Sequence, residues 1–212
     1  MPGCTGCGRA FADRVPMVFG IVPWEARAFC ASLLFYHLSE FCIALRYNPT
    51  TVSHASWLFS RTYVAAMGFA VCEYVLLFWM FPDGKNCGWC ERVKFFGLGL
   101  CVAGDGLRKV AQITAAASFT HVIQTTKRTQ HKLIKHGVYH HVRHPGYLGW
   151  LVWSVGTQVL LCNPCSVVLF ALAALSFFRK RIPLEETALR RMFPGEYAAY
   201  AAGTKTWIPG VP

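Results

Sequence analysis

Arg143-His144-Pro145-Gly146-Tyr147-Leu148-Gly149 opens the stretch that decides the fold, and Arg179-Lys180-Arg181 closes it. Between them lie two apolar pieces, Tyr147 to Cys162 and Cys165 to Phe178, parted by Asn163-Pro164. Each runs to about 14–16 residues, short for a full crossing of the hydrocarbon at ~1.5 Å per residue. The Asn-Pro break is a bend signal, so the pair reads as a helical hairpin rather than one very long helix. A hairpin returns the chain to the face it left. The segment before it, Gln124 to Arg143, carries Lys127, Arg128, Lys132, Lys135 and Arg143, with several histidines and no acid. Both flanks are basic and share one face, which the positive-inside rule assigns to the cytoplasm.

Three more apolar runs lie upstream: Ala26 to Leu45, Thr62 to Phe81, and Val93 to Ala103, the last continuing, less apolar, through Arg108-Lys109 towards Ala117. Each approaches the twenty or so residues of a membrane helix. The second ends at the turn signal Pro82-Asp83-Gly84. Val15 to Trp24 is a candidate for a further short or broken span, and no convincing signal peptide, since Pro23-Trp24-Glu25 follows it closely. With 54% apolar and 15% charged residues, the chain is too greasy for an ordinary soluble domain. The formal charge of +11 sits in the gaps between apolar runs, which fits cytoplasmic loops and a lipid bilayer better than nucleic acid. The expected fold is all-α: a polytopic transmembrane protein of about 5–6 membrane helices, including the C-terminal hairpin.

His144 precedes a proline and should end an extended segment, while Pro145 suits the first position of the hairpin's first helix. The N–H groups of that first turn, with the positive end of the helix dipole, suit an anion. Gly146 and Gly149 let a ligand or another helix approach closely; the plainer reading is glycine packing at a helix start. Arg181 and Glu185 stand four apart, on one face if helical, and the returning hairpin brings them near His144 and Tyr147. Alone they read as a surface ion pair of little worth.

Ten cysteines form no disulfide framework. Cys30, Cys42, Cys72, Cys101 and Cys162 sit singly in apolar runs, as small hydrophobes. Cys4/Cys7 and Cys87/Cys90 are C-x-x-C pairs in different loops, which favours loop cysteines or local redox pairs over a shared metal site. His136-x-x-x-His140-His141 imitates a histidine box, but only His37 and His54 lie outside residues 121–144, and the surrounding cations disfavour a metal. Glu40 and Glu73 fall within apolar runs, where an acid is a functional suspect; the plainer reading is interhelical bonding, for Glu40 to His37 or Arg108.

Together, R-H-P-x-Y-x-G, a hairpin broken at Asn-Pro and the pair Glu185-Glu186 resemble integral membrane methyltransferases. More closely the chain resembles the isoprenylcysteine carboxyl methyltransferase family. The resemblance is carried by Tyr36-His37-Leu38-Ser39-Glu40, Leu107-Arg108-Lys109 and Ser118-Phe119-Thr120-His121-Val122-Ile123-Gln124. It continues through Gly137-Val138-Tyr139, Trp153-Ser154-Val155-Gly156-Thr157-Gln158 and Phe193-Pro194-Gly195-Glu196-Tyr197, covering roughly residues 15 to 209. It implies methyl esterification of the C-terminal prenylcysteine carboxylate of CaaX-processed proteins such as small GTPases. The implied cofactor is S-adenosylmethionine, leaving as S-adenosylhomocysteine, in a pocket facing the cytosol at the endoplasmic reticulum membrane. By resemblance, Gln124, His131, Lys132, Leu133, Ile134, Tyr139, His144, Pro145, Gly146, Tyr147 and Glu185 contact the cofactor, and Arg181 meets the substrate carboxylate; Arg181 and Glu185 are the catalytic pair, with no metal. Residues 1–117 then supply N-terminal membrane helices, and residues 118–212 the catalytic region of one integrated domain. One departure is length: the chain starts late relative to the longer animal enzymes. A phospholipid or amine N-methyltransferase and, further off, a membrane sterol reductase are the alternatives. The carboxylate nucleophile is already ionised at neutral pH, so no general base is needed.

Overall fold

The computed structural model describes residues 22–81, 85, 87–124, 126–127 and 131–211. The Cys4/Cys7 pair, the apolar run from Val15 up to residue 21, the Pro82-Asp83-Gly84 turn and Arg128 lie outside the described residues. The described chain is helical: α1 (Trp24–Tyr47), α2 (Arg61–Met80), α3 (Gly88–Ala115), a single turn α4 (Val138–His141), α5 (Pro145–Leu160), α6 (Pro164–Met192) and α7 (Glu196–Gly203). Short 3₁₀ turns lie between α1 and α2 and after α3. Among the described residues β pairing is limited to one isolated bridge, Val142 with Lys205.

Local chemistry sets these limits. The Ser60 side chain accepts from the Tyr63 N–H and caps α2. Pro145 and Pro164 each occupy the first turn of their helices, where a missing N–H costs nothing. α3 and α5 pack backbone to backbone through glycines. A Cβ on Gly149 would sit 2.6 Å from Gly104 O, and one on Gly156 would sit 2.8 Å from Leu100 Cβ. Gly149 therefore serves a helix crossing, as small residues do where membrane helices meet. α1 joins this pair through Tyr36, stacked on Trp153 at 3.9 Å, and through Trp153 Nε1 donating to Ser32 Oγ at 3.0 Å.

The hairpin bend is built from buried polar groups. Gln158 Nε2 donates to Thr157 Oγ1 (3.0 Å), and Asn163 Nδ2 donates to Ala70 O (2.9 Å) and Gln158 Oε1 (3.3 Å). Glu73, reaching from α2, accepts from the N–H groups of Cys165 (2.8 Å) and Ser166 (2.7 Å). It thus caps α6 with a negative charge at the positive end of that helix, the interhelical bonding that the plainer reading expects. Glu40, fully buried, accepts from Arg108 Nε (2.7 Å) and Nη2 (2.9 Å), Lys109 (2.6 Å), Gln112 (2.8 Å) and His121 (2.8 Å). Of the two partners considered for Glu40, Arg108 is the one it meets; His37 binds Trp57 O and the Tyr63 hydroxyl instead.

One expectation of length needs correction. The apolar piece Cys165 to Phe178 does not end its helix: α6 runs 29 residues to Met192 with Pro183 inside it. Pro183 removes one helical hydrogen bond, yet the chain beyond it stays helical to Met192, with Ile182 just before the proline and Ala188 after it buried. The run from Val93 through Arg108-Lys109 is continuous, as read from the sequence: it lies in one 28-residue helix that starts at Gly88 and ends at Ala115, with Ala116 and Ala117 in the 3₁₀ turn that follows. Among the described residues, α1 and α2 alone are long and apolar enough to cross a membrane by length and composition. α3 and α6 carry charges along their lengths, and α5 has only 16 residues. Leu34, Phe35, Val75, Leu76, Phe96, Val102 and Leu172 nevertheless stay exposed around α1, α2, α3 and α6, an apolar surface of the kind lipid covers.

Candidate active site

One cavity of about 900 Å³ opens at the end of the bundle where the hairpin begins and α6 returns. Its lining includes all twelve residues singled out above: Gln124, His131, Lys132, Leu133, Ile134, Tyr139, His144, Pro145, Gly146, Tyr147, Arg181 and Glu185. Three elements supply them: the segment after α3, the turn that starts α5, and the far half of α6. The extension of α6 through Met192 carries Arg181 and Glu185 on one rigid rod, facing the Pro145 turn.

The Tyr147 hydroxyl joins the arginine and the glutamate of this face. It accepts from Arg181 Nε at 2.8 Å and donates to Glu185 Oε2 in a short bond. Arg181 Nη2 also donates to the backbone oxygen of His121 at 2.6 Å. Two of its five N–H groups are thus engaged. His144 is buried, with Nε2 donating to Glu186 Oε1 at 3.1 Å and Nδ1 4.0 Å from Glu185 Oε1. Glu186 Oε1 also accepts from Arg143 Nε at 2.7 Å. Burial alone would raise the Glu186 pKa, but the His144 bond and the Arg143 charge outweigh it and hold it below the ordinary carboxylate range. The two glutamates therefore divide: Glu185 faces the cavity, whereas Glu186 locks the entrance of α5 from behind.

The first turn of α5 offers fewer backbone donors than a free helix start. Tyr147 and Leu148 N–H both donate to His144 O at 3.1 Å, and Pro145 has none. Gly146 N–H remains, among the described bonds, to meet an anion. A Cβ on Gly146 would come within 3.2 Å of the Phe119 ring, so its bareness keeps the turn against that ring. Arg108 Nη1 donates to Gly146 O at 3.0 Å, which ties the Glu40 cluster to the same turn.

Tyr139, Tyr197 and Tyr200 add hydroxyls to the wall. Burial, with the Glu185 charge, raises Tyr139; burial, with Glu186, raises Tyr197; burial pushes Tyr200 up to about 12, against Arg143 and helped by Glu186. All three remain protonated across the physiological range. The lining also divides by character. Leu58, Phe59, Met67, Trp150, Leu169 and Phe177, from the α1–α2 loop, α2, α5 and α6, are apolar.

Several residues of the site were not singled out by sequence. Tyr36, Phe119 and Tyr197 belonged to quoted stretches without a role and Arg108 was considered only as a partner of Glu40, while Trp150 and Tyr200 lie outside those stretches. Their polar or aromatic character inside apolar or C-terminal segments was the available signal. Among the described residues, no group of three or more His, Cys, Asp or Glu is placed to hold a metal.

S-adenosylmethionine is a zwitterion with a sulfonium cation, and the donor set suits it. The cavity lies within the ~300–1,000 Å³ typical of ligand sites. It presents one carboxylate, Glu185, for cationic groups, and the Gly146 N–H with the α5 dipole for a carboxylate.

Three comparisons bear on the chain. The profile of the isoprenylcysteine carboxyl methyltransferase (ICMT) family matches residues 97–191. The probable protein-S-isoprenylcysteine O-methyltransferase of Oryza sativa subsp. indica is 45% identical over 186 residues, covering 87% of this chain and 96% of that protein. The protein-S-isoprenylcysteine O-methyltransferase of Saccharomyces cerevisiae is 38% identical, covering 85% of this chain and 78% of its own length. The solved structure of the eukaryotic intramembrane Ras methyltransferase ICMT superposes with a TM-score of 0.83 at 32% identity, covering 92% of this chain and 71% of that one.

Proposed function

The chain belongs to the isoprenylcysteine carboxyl methyltransferase family, and on that premise we propose how its cavity esterifies the C-terminal carboxylate of a prenylated cysteine. The observation that carries the proposal is the Arg181–Tyr147–Glu185 array, a cation and an anion held on one hydroxyl at the mouth of α5. Arg181 binds the substrate carboxylate through the N–H groups not engaged by Tyr147 and His121. Glu185 and the Gly146 N–H hold S-adenosylmethionine, with Gln124, the segment His131 to Ile134, Tyr139 and His144 to Tyr147 completing its walls.

Bound S-adenosylmethionine supplies a methyl group on a sulfonium cation and leaves as neutral S-adenosylhomocysteine. Opposite charges disappear along the path, so a pocket poor in water favours the step relative to bulk solvent. The residues' task is alignment, not proton transfer. The hydroxyls of Tyr139, Tyr197 and Tyr200, held protonated, add polarity without adding a competing nucleophile. The apolar residues from α2, α5 and α6 offer a surface for the prenyl chain.

The same end of the protein carries Lys127, Lys132, Lys135, Arg143, Arg179, Lys180, Arg190 and Arg191, which supports a cytosolic orientation. α1, α2, α3, α5 and the first half of α6 are then the crossing helices of the described chain, in the endoplasmic reticulum membrane. Prenylated small GTPases are the substrate proteins. Incubation of the purified protein with methyl-labelled S-adenosylmethionine and N-acetyl-S-farnesylcysteine tests this directly. We expect label in a base-labile methyl ester; label transferred instead to a phospholipid amine would overturn it.

A further inference from the structure

The C-x-x-C pair Cys87-Gly88-Trp89-Cys90 begins α3, at the opposite end of that helix from the cavity. Neither cysteine lines the cavity, so methyl transfer leaves the pair unexplained. Cys87 is exposed and occupies the cap position of α3, its Sγ accepting from Cys90 N–H at 3.4 Å. Cys90 lies half-buried one turn on, and its backbone oxygen receives Cys162 Sγ at 3.8 Å from the hairpin bend. An i, i+3 spacing places both sulfurs on one side of the helix.

The two thiols are also unequal. The Cys90 N–H and the Cys90 thiol, bonded to Cys87, hold the Cys87 pKa below the ordinary thiol value. Cys90, by contrast, is half-buried under the Cys162 sulfur. An exposed sulfur that accepts a backbone N–H at a helix start, with a second, half-buried cysteine one turn away, is the arrangement that suits attack and resolution in disulfide exchange.

We propose that Cys87 and Cys90 form a reversible disulfide, with a small-molecule disulfide of the glutathione type as oxidant. The Cys87 thiolate attacks one sulfur of the glutathione disulfide, breaking its S–S bond and releasing one glutathione as thiolate, which takes up a proton. Cys90 then loses its proton and attacks Cys87 Sγ, forming the intrachain disulfide and expelling the second glutathione. Two protein thiols are oxidised and one glutathione disulfide is reduced to two thiols. The orientation proposed above puts this end in the lumen, where disulfides persist; the exchange itself does not depend on that orientation.

The test uses the purified full-length protein in detergent, equilibrated with reduced and oxidised glutathione, quenched with acid, alkylated and mapped by mass spectrometry. We expect a Cys87–Cys90 disulfide that grows with the oxidised fraction. In Cys90→Ser, glutathione should accumulate on Cys87 about tenfold faster than on the exposed Cys165, because a backbone N–H faces the Cys87 sulfur whereas the Glu73 carboxylate lies beside Cys165, also at a helix start. In Cys87→Ser, Cys90 should stay alkylatable over the same time. Two free thiols at every ratio, glutathione on Cys90 rather than Cys87, or a Cys90–Cys162 bridge would each overturn the proposal. Methyl transfer measured on the same samples reports separately on the cavity.

Discussion

Arg181 Nε lies 2.8 Å from the Tyr147 hydroxyl, across the two arms of the hairpin. That contact exists only because the chain reverses at Asn163-Pro164 and α6 then continues as helix past Phe178. It sets a guanidinium beside the first turn of α5, where the proposed reaction would bring a carboxylate substrate and a zwitterionic cofactor together.

Arg181→Ala should lower kcat/KM for a farnesylcysteine substrate by about 10- to 100-fold, from the ~1.5–3 kcal/mol of a hydrogen bond to a charged group. Arg181→Lys should not restore it, because one ammonium does not replace a fork already bonded to Tyr147 and His121. Steady-state methyl transfer on folded variants reads both. Activity within twofold of the parent, by comparison with an unrelated surface change, removes Arg181 from the site.

Glu40→Gln should destabilise the fold by about 3–5 kcal/mol, since Arg108 and Lys109 are left around a neutral amide in a buried place. Both are almost wholly buried against Glu40. Thermal unfolding in detergent measures the loss; a Tm unchanged from the parent contradicts the charge cluster. The same cluster reaches the site twice, through Arg108 to Gly146 O and through His121 to Arg181.

Gly149→Val should separate α3 from α5, because a Cβ there already sits 2.6 Å from Gly104 O and 2.7 Å from Arg108 N. Overpacking of this kind costs about 1–3 kcal/mol. A lower Tm for Gly149→Val, with little change for the spacious Gly68→Val, checks it.

Glu186 gives a pH dependence of known sign. Its folded pKa lies below the value of 4.5 it has when unperturbed. Between the two, the unfolded chain binds the proton that the folded one refuses, so stability falls as pH falls. The contribution is complete above the unperturbed value and disappears as pH drops through the folded one. The Tm difference between the parent and Glu186→Gln should be constant from about pH 6 to 8 and shrink below about 4.5. A difference independent of pH throughout would show that Glu186 is not the ionised partner of Arg143 and His144.

The hairpin was legible because Asn163-Pro164 interrupts an apolar run between two basic flanks, a pattern set by local chemistry. The convergence of Arg181 and Glu185 on Tyr147 followed from counting residues back along it. The true length of α6 was hidden by Pro183 and by the loss of apolar character after Phe178, since what keeps that stretch helical is packing of Ile182 and Ala188 against other elements. The partner of Glu73 was illegible for a similar reason: backbone N–H groups of a helix 92 residues away carry no side-chain signature. The division of labour between Glu185 and Glu186 depends on which face each presents, and adjacent letters do not reveal it.

The most direct measurement is calorimetry of S-adenosylhomocysteine binding to the detergent-purified protein and to its Glu185→Gln and Arg181→Ala variants. We expect one site per chain, affinity weakened by Glu185→Gln, and affinity nearly unchanged by Arg181→Ala, whose loss falls on the prenylcysteine substrate. Binding that survives Glu185→Gln intact, or that Arg181→Ala abolishes in a folded protein, would contradict the division of the cavity between cofactor and substrate.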